Sequence, residues 1–353
     1  MNSYEEYYDL VHDNTFGIHA KARFFVRYGD EQELADAIGW RQAEARDLPL
    51  LHIGSGSNLL FLDDYPGVVL QSAIQGVDVM EADDEQVVLR VGSGMEWDAL
   101  VELCVTHGWH GLENLSLIPG QVGAAAVQNI GAYGAEASQH VVAVECVDLT
   151  DGTVRRFEAA ECDYGYRTSV FKTRLRGRYA VSRVWLRLSR RFVPDTTYGG
   201  IAEMLSSQGI PVDEVTASQL RDAIIRIRRH KLPDPAVQGN AGSFFMNPVV
   251  DEACKERLLA QYPAMPHYAA GQGRWKLSAA WLIDQSGWKG KSLGPAGVHD
   301  RQALVLVNLG GARGMDVVRL CQAVRQDVVR QFGVTLMPEV NFIPDIPLDK
   351  LSL

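Results

Sequence analysis

The segment from Pro119 to Gly134 reads PGQVGAAAVQNIGAYG, with four glycines and four alanines in sixteen residues. So little side chain cannot fill an ordinary core, but it lets backbone come close to something else. That partner is either a large flat ligand met by backbone amides or the rest of a tightly packed loop. A second segment, GSGSNLL, begins at Gly54 directly after the apolar run Leu50–Ile53, which reads as a buried strand. Its glycines allow a tight turn that aims several N–H groups at one anion, and Ser55, Ser57 and Asn58 add side-chain donors. The pattern suits a pyrophosphate cradle and equally a turn without a ligand. It lacks the third glycine and long helix of a dinucleotide fingerprint, and the Gly-Lys-Ser/Thr of a P-loop.

The remaining chemistry narrows the class. A chain of 353 residues that is 46% hydrophobic and 22% charged has room for two domains. Its formal net charge of -10 argues against a nucleic-acid surface, so an anionic small ligand would have to be met by a local cluster of cations. The five cysteines, at 104, 146, 162, 254 and 321, form no C-x-x-C pair and no zinc spacing with histidine; no metal site is expected, and free thiols suit a reducing compartment. The opening Met1-Asn2-Ser3-Tyr4-Glu5-Glu6-Tyr7 has no basic stretch leading into an apolar one, and no apolar run reaches the roughly 18 residues of a membrane span. The expectation is a monomeric cytoplasmic protein with a small-molecule partner, no nucleic acid and no membrane span.

Periodicity and punctuation predict strands at 67–70, 86–91 and 179–188, and a helix carrying Trp97, Leu100, Val101 and Cys104 that ends before Gly108. An Asp151-Gly152 turn joins 141–149 to 153–157 as a hairpin. Further on, Thr216-x-x-Gln219 is a capping box opening a helix with Leu220, Ile224 and Ile227 on one face, closing near Lys231 ahead of Pro233. Two more helices are predicted over 276–285 and 315–332. The second carries the stripe Val317, Cys321, Val324 and Val328 and stops at Gly333. Pro194 and the Gly199-Gly200 pair place a domain boundary near 195–215.

Read in order, GSGSNLL, PGxVGAAxxQNIGAYG, YGYRxSxFK (164–172), LPDP followed by GNAGSFFxNP (232–248), AxWLID (279–284) and PEVxFI (338–343) resemble the UDP-N-acetylenolpyruvoylglucosamine reductase family. The resemblance runs from Asn14 to Ile343. It implies an α+β fold: an FAD-binding domain of the vanillyl-alcohol-oxidase/PCMH type and a smaller α+β substrate-binding domain. The expected limits are 1–205 for the first, in subdomains 1–72 and 73–205 with the tail 335–353 returning to it, and 206–334 for the second. The implied activity is NADPH-dependent, FAD-mediated reduction of UDP-N-acetylglucosamine enolpyruvate to UDP-N-acetylmuramate, a peptidoglycan precursor. A rival on the same fold, an FAD-dependent oxidase or hydroxy-acid dehydrogenase, would share the two glycine segments but has no use for GSFFxNP or PEVxFI. A covalent flavin would favour the rival, and His52 lies near the first segment, though in an apolar strand. A sugar-nucleotide-binding regulatory protein would have no reason to keep Arg167, Ser243 and Glu339.

The resemblance also implies roles. Non-covalent FAD falls to Gly54, Ser55, Gly56, Ser57, Asn58 and Leu59, and to Pro119, Gly120, Gly123, Ala124, Gln128, Asn129, Gly131, Ala132, Tyr133 and Gly134. Arg167 would stabilise charge developing on the substrate carboxylate, its planar fork matching that group. Ser243 would protonate the enolate-like carbon, which is basic enough to take a proton from a hydroxyl. Glu339 would polarise the carboxyl or keep the proton network filled. Lys231, Asn247, Lys276 and Gln302 would hold the sugar nucleotide and its diphosphate. The segment Pro194–Gly200 resembles the tyrosine loop of the family's longer type, with Tyr198 capping the substrate.

Overall fold

The computed structural model describes residues 4–346; the expected features at 1–3 and 347–353 lie outside the described residues. The chain forms two compact units. One takes the chain up to Tyr8, Ala22–Ser55 and Pro66–His230; the other takes Asp9–Lys21, Gly56–Tyr65 and the chain from Lys231 onward.

The first unit holds two sheets. In one, the strands Glu5–Asp9, Lys21–Tyr28, Tyr65–Ser72 and Leu50–Ile53 lie side by side in that order. Leu50–Ile53 runs parallel to its neighbour, with Leu51 opposite Val69. Its neighbour Tyr65–Ser72, with Val68, Val69 and Leu70 all buried in succession, has the continuous apolar run that two-sided burial selects. In the other sheet the order is Val154–Glu158, Val141–Asp148, Tyr179–Ser189, Gln86–Gly92, Val77–Ala82. The Asp151-Gly152 hairpin is present, with Val144 opposite Phe157. Val87, Leu89, Val91, Val144, Val184 and Leu186 put one face of this sheet against the helix Trp97–Thr106, which buries Trp97, Leu100, Val101 and Cys104. Alternation on the strands and 3.6-residue spacing on the helix meet in one core.

Three helices in this unit, Glu31–Glu44, Val122–Gln128 and Ile201–Ser207, escaped the sequence reading. Glu31–Glu44 is capped by Asp30, whose carboxylate accepts from Glu33 N–H, and it buries only Leu34, Ala37 and Ile38. The alanine-rich stretch Val122–Gln128 is helical and ends at Asn129, which stands in the left-handed region at φ 49°.

The boundary expected at 195–215 falls elsewhere. The helices Ile201–Ser207 and Ala217–Lys231 supply Ile201, Leu205, Leu220, Ile224 and Ile227, which pack with Tyr133 and Phe192. The chain as far as His230 therefore belongs to the first unit. The Gly199-Gly200 pair is no linker, since a Cβ on Gly199 would come 2.6 Å from the Tyr133 ring. The described part of the tail pairs in parallel, as Asn341–Ile343, with Leu59–Phe61, a strand inside the expected limits 1–205, and both lie in the second unit.

The second unit packs the helix Gly314–Phe332, through Val317, Cys321, Val324, Val328 and Phe332, against Phe16, Phe244, Phe245, Leu282 and Ile283. Gly333, at φ 67°, ends that helix as predicted. The helix predicted over 276–285 is shorter. Arg274–Leu277 is a strand, with Lys276 opposite Val249 and Tyr268, and Ser278 caps the helix Ala279–Gln285 by accepting from Trp281 N–H. Lys276 is therefore a strand residue, because a hydroxyl two positions on offers the backbone a helix start there.

Candidate active site

In the first unit the segment 119–134 is organised around Asn129 and Arg167. Asn129 is fully buried; its amide donates to Glu136 (2.9 Å) and to the Gly165 carbonyl (2.9 Å) and accepts from Ser138 N–H (3.0 Å). The Arg167 guanidinium donates to the carbonyls of Asn129 (3.3 Å) and Gly131. Lys172 donates to the Gln128 side chain and to the Arg167 carbonyl (3.0 Å), and Ser169 Oγ to the Val127 carbonyl (2.6 Å). The YGYRxSxFK motif thus grips the end of the short helix.

Much of the glycine in this segment serves the protein itself. A Cβ on Gly123 would lie 2.7 Å from Ser93 Cβ, and one on Gly131 would lie 2.7 Å from an Arg167 nitrogen. Leu117, Asn129, Tyr133 and Arg167 all sit at φ between 48° and 56°, a conformation that costs a non-glycine residue about 1–2 kcal/mol. Such a cluster persists only where surrounding bonds over-determine it, and it is typical of functional sites. Tyr133 is held by Arg228. Burial pushes the phenol's pKa up, and the guanidinium opposes that rise. Arg228 also donates to the Leu117 carbonyl (3.2 Å), while Leu117 N–H and Arg221 both donate to Asp98. Burial works to raise the Asp98 pKa, yet the Arg221 hydrogen bonds hold it below the ordinary carboxylate value. Tyr198 is half exposed, and its Cβ lies 3.8 Å from where a Cβ on Gly134 would stand. Asn114 ties this loop to the glycine segment, donating to the carbonyls of Tyr133 (2.9 Å) and Asp195 (3.0 Å).

The first glycine segment tests the fit of a flavin nucleotide. Among the described residues, the N–H groups of Ser55, Gly56 and Ser57 donate to no protein acceptor, as an anion cradle requires. Gly56, at φ 65°, has no room for a side chain, since a Cβ would stand 2.1 Å from the Asp13 carbonyl. Gln121, 9% exposed, has its Oε1 buried without a partner, while its Nε2 donates to the Ser72 carbonyl (3.4 Å). An orphaned buried acceptor beside Gly54 marks a place for a hydroxyl or N–H donor. Asn58, by contrast, is committed: its amide donates to the Glu339 carbonyl (3.3 Å). His52 is engaged too. Its Nε2 lies 2.5 Å from Tyr28 Oη, and burial lowers its pKa to about 4.

In the second unit Ser243 is exposed on a braced loop. Buried Asn240 donates to the carbonyls of Pro233 (3.3 Å) and Gln238 (2.9 Å) and accepts from Gly242 N–H (2.9 Å). Phe244 and Phe245 plug the core directly after Ser243. Phe244 N–H donates to the Leu304 carbonyl and its own carbonyl accepts from Glu339 N–H, both at 2.8 Å. Ser243 and Glu339 therefore stand on adjoining backbone. Asn247 Oδ1 accepts from Ala279 N–H (3.0 Å), and Gln302 Oε1 from Leu304 N–H (3.3 Å). Lys231 is exposed and Lys276 half-buried.

Sequence reasoning passed over Asn114, Gln121, Lys172, Arg228 and Asn240. Lys172 and Asn240 sit inside the quoted motifs; Asn114 and Arg228 carried no local signal, because their partners are remote in sequence.

Known proteins share this arrangement. Residues 22–158 match the model of the "FAD binding domain" family, and residues 234–343 that of the UDP-N-acetylenolpyruvoylglucosamine reductase C-terminal domain. The UDP-N-acetylenolpyruvoylglucosamine reductase of Bacteroides fragilis is 50% identical over 96% of this chain and 100% of its own. That of Burkholderia multivorans is 48% identical over 94% of each. The crystal structure of the Thermus caldophilus reductase superposes with a TM-score of 0.65 at 24% identity, covering 97% of this chain and 98% of its own. For 6-hydroxy-D-nicotine oxidase of Arthrobacter nicotinovorans the TM-score is 0.51 at 13% identity, over 95% of this chain and 87% of its own. These two share the fold, an α+β architecture with an FAD-binding domain of the vanillyl-alcohol-oxidase type. Likeness to the curated reductases over nearly the whole length of both chains settles the matter: this chain belongs to the UDP-N-acetylenolpyruvoylglucosamine reductase family.

Proposed function

We propose that this chain is the NADPH-dependent flavoprotein that reduces UDP-N-acetylglucosamine enolpyruvate to UDP-N-acetylmuramate in peptidoglycan precursor synthesis. The observation that carries the reading is the match to curated reductases at half identity along 96% of the chain, a span containing Arg167, Ser243 and Glu339. The two glycine segments would hold FAD non-covalently, and the bound cofactor would supply the hydride transfer between NADPH and the enolpyruvyl double bond.

The protein's own groups do the rest. The carbonyls of Asn129 and Gly131 fix the plane of the Arg167 fork. It meets charge developing on the substrate carboxylate without reorganising, which is how such stabilisation is effective. Ser243 gives its proton to the enolate-like carbon, and Glu339 keeps the proton network filled. Lys231, Lys276, Asn247 and Gln302 take the sugar nucleotide, with Tyr198 closing over it. In this reading the residues to 230 carry FAD, those from 231 carry substrate, and the protein works as a cytoplasmic monomer. No helix among the described residues is long and apolar enough to cross a membrane.

The test is the anaerobic visible spectrum. NADPH should bleach the yellow protein, and UDP-N-acetylglucosamine enolpyruvate should restore its colour without oxygen. Restoration by oxygen alone would sink the substrate assignment, and failure to bind added FAD would sink the whole reading.

A further inference from the structure

Lys172 closes the YGYRxSxFK motif and takes no part in the chemistry above. Arg167 occupies a tight turn in which Gly165 N–H donates to the Thr168 carbonyl (3.1 Å) and Thr168 N–H to the Gly165 carbonyl (3.2 Å). Its own φ is 56°, a left-handed conformation that an arginine leaves readily unless held. The half-buried Lys172 ammonium donates to the Arg167 carbonyl (3.0 Å) and to Gln128 Oε1. One cation thus joins the backbone of the strained residue to the helix Val122–Gln128, whose C-cap Asn129 and the Gly131 just beyond it carry the two carbonyls that Arg167 itself grips. A charge-assisted donor is about twice as strong as a neutral one, and it binds the peptide unit that would have to rotate if Arg167 relaxed.

We propose that Lys172 is a positioning residue for Arg167, locking its left-handed backbone and hence the direction of its guanidinium. The inference rests on the carboxylate-stabilising role proposed for Arg167. Misplacing a transition-state contact by about 1 Å costs on the order of 100-fold. Lys172→Met, which keeps the apolar stem and deletes the donors, should therefore slow anaerobic reoxidation by saturating enolpyruvate roughly 10- to 100-fold. KM for the enolpyruvate, the NADPH bleaching rate and the apoprotein's affinity for FAD (by fluorescence titration) should each stay within about threefold. Lys172→Arg should recover most of the rate, and in an Arg167→Met background Lys172→Met should add little further loss.

An equal loss in both backgrounds would overturn the inference, as would parallel losses of bleaching rate and FAD affinity in both Lys172→Met and Lys172→Gln. If Arg167→Met slows reoxidation while Lys172→Met does not, only the role of Lys172 falls. If Arg167→Met leaves reoxidation unchanged, both assignments fall.

Discussion

The glycine segment around Asn129 and the Ser243 loop solve the same problem by different means. Each must present one polar side chain on irregular backbone. The first does so with strain: four non-glycine residues in the left-handed region, and glycines pressed against Ser93 and Arg167. The second uses one buried amide, Asn240, and a plug of two phenylalanines, and Gly242 is the residue there with positive φ. Strain makes the first region depend on residue size, whereas the second depends on hydrogen-bond satisfaction.

Four tests separate these two modes. Ser243→Ala alters the chemistry and no bracing bond; reoxidation by the enolpyruvate should fall by about 100- to 10,000-fold in anaerobic stopped flow, with bleaching by NADPH intact. A loss of less than about tenfold would remove serine as the proton donor. Asn240→Ala strands two carbonyls and one N–H, at a cost of about 3 kcal/mol in urea unfolding; a change under about 1 kcal/mol would mean that the loop is held by something else. Gly131→Ala drives a methyl into Arg167 and the Ala135 carbonyl, and reoxidation should slow roughly 100-fold. Normal kinetics would show that Arg167 has slack. The smallest effect is an ordering. At 129 glycine should be better tolerated than alanine by about 1 kcal/mol, because both lose the amide but only alanine keeps the strain. At 240, where φ is not positive, glycine should hold no advantage. Reversed orderings would erase the distinction between the regions.

Local rules made much of this molecule readable. The Asp151-Gly152 hairpin, the Thr216–Gln219 capping box, realised by reciprocal bonds of 3.3 and 2.9 Å, and the Val317–Val328 stripe are short-range patterns read without knowledge of partners. Glu31–Glu44 was missed because alanine fills a core position and the apolar stripe is thin. The segment 276–285 was read as one helix because strand and helix abut at Ser278 with no glycine or proline between them. At the site, motif order pointed to Arg167, Ser243 and Glu339. What braces the glycine segment and the Tyr198 loop around them did not show, since Asn114 and Arg228 act on backbone or on side chains brought near only by the fold. The boundary misreading has the same origin: Gly199 looks like a hinge until the Tyr133 ring lies against it.

Asn114 makes the tyrosine loop and the glycine segment share a fastening. One amide nitrogen serves both the Tyr133 and the Asp195 carbonyls. The loop's root is therefore fixed to the glycine segment as far as Asp195. Under the capping role proposed for Tyr198, closure is left to the few residues around that tyrosine, and shortening or lengthening the stretch from Thr196 to Gly200 would change which ligands it covers while leaving its root where it is.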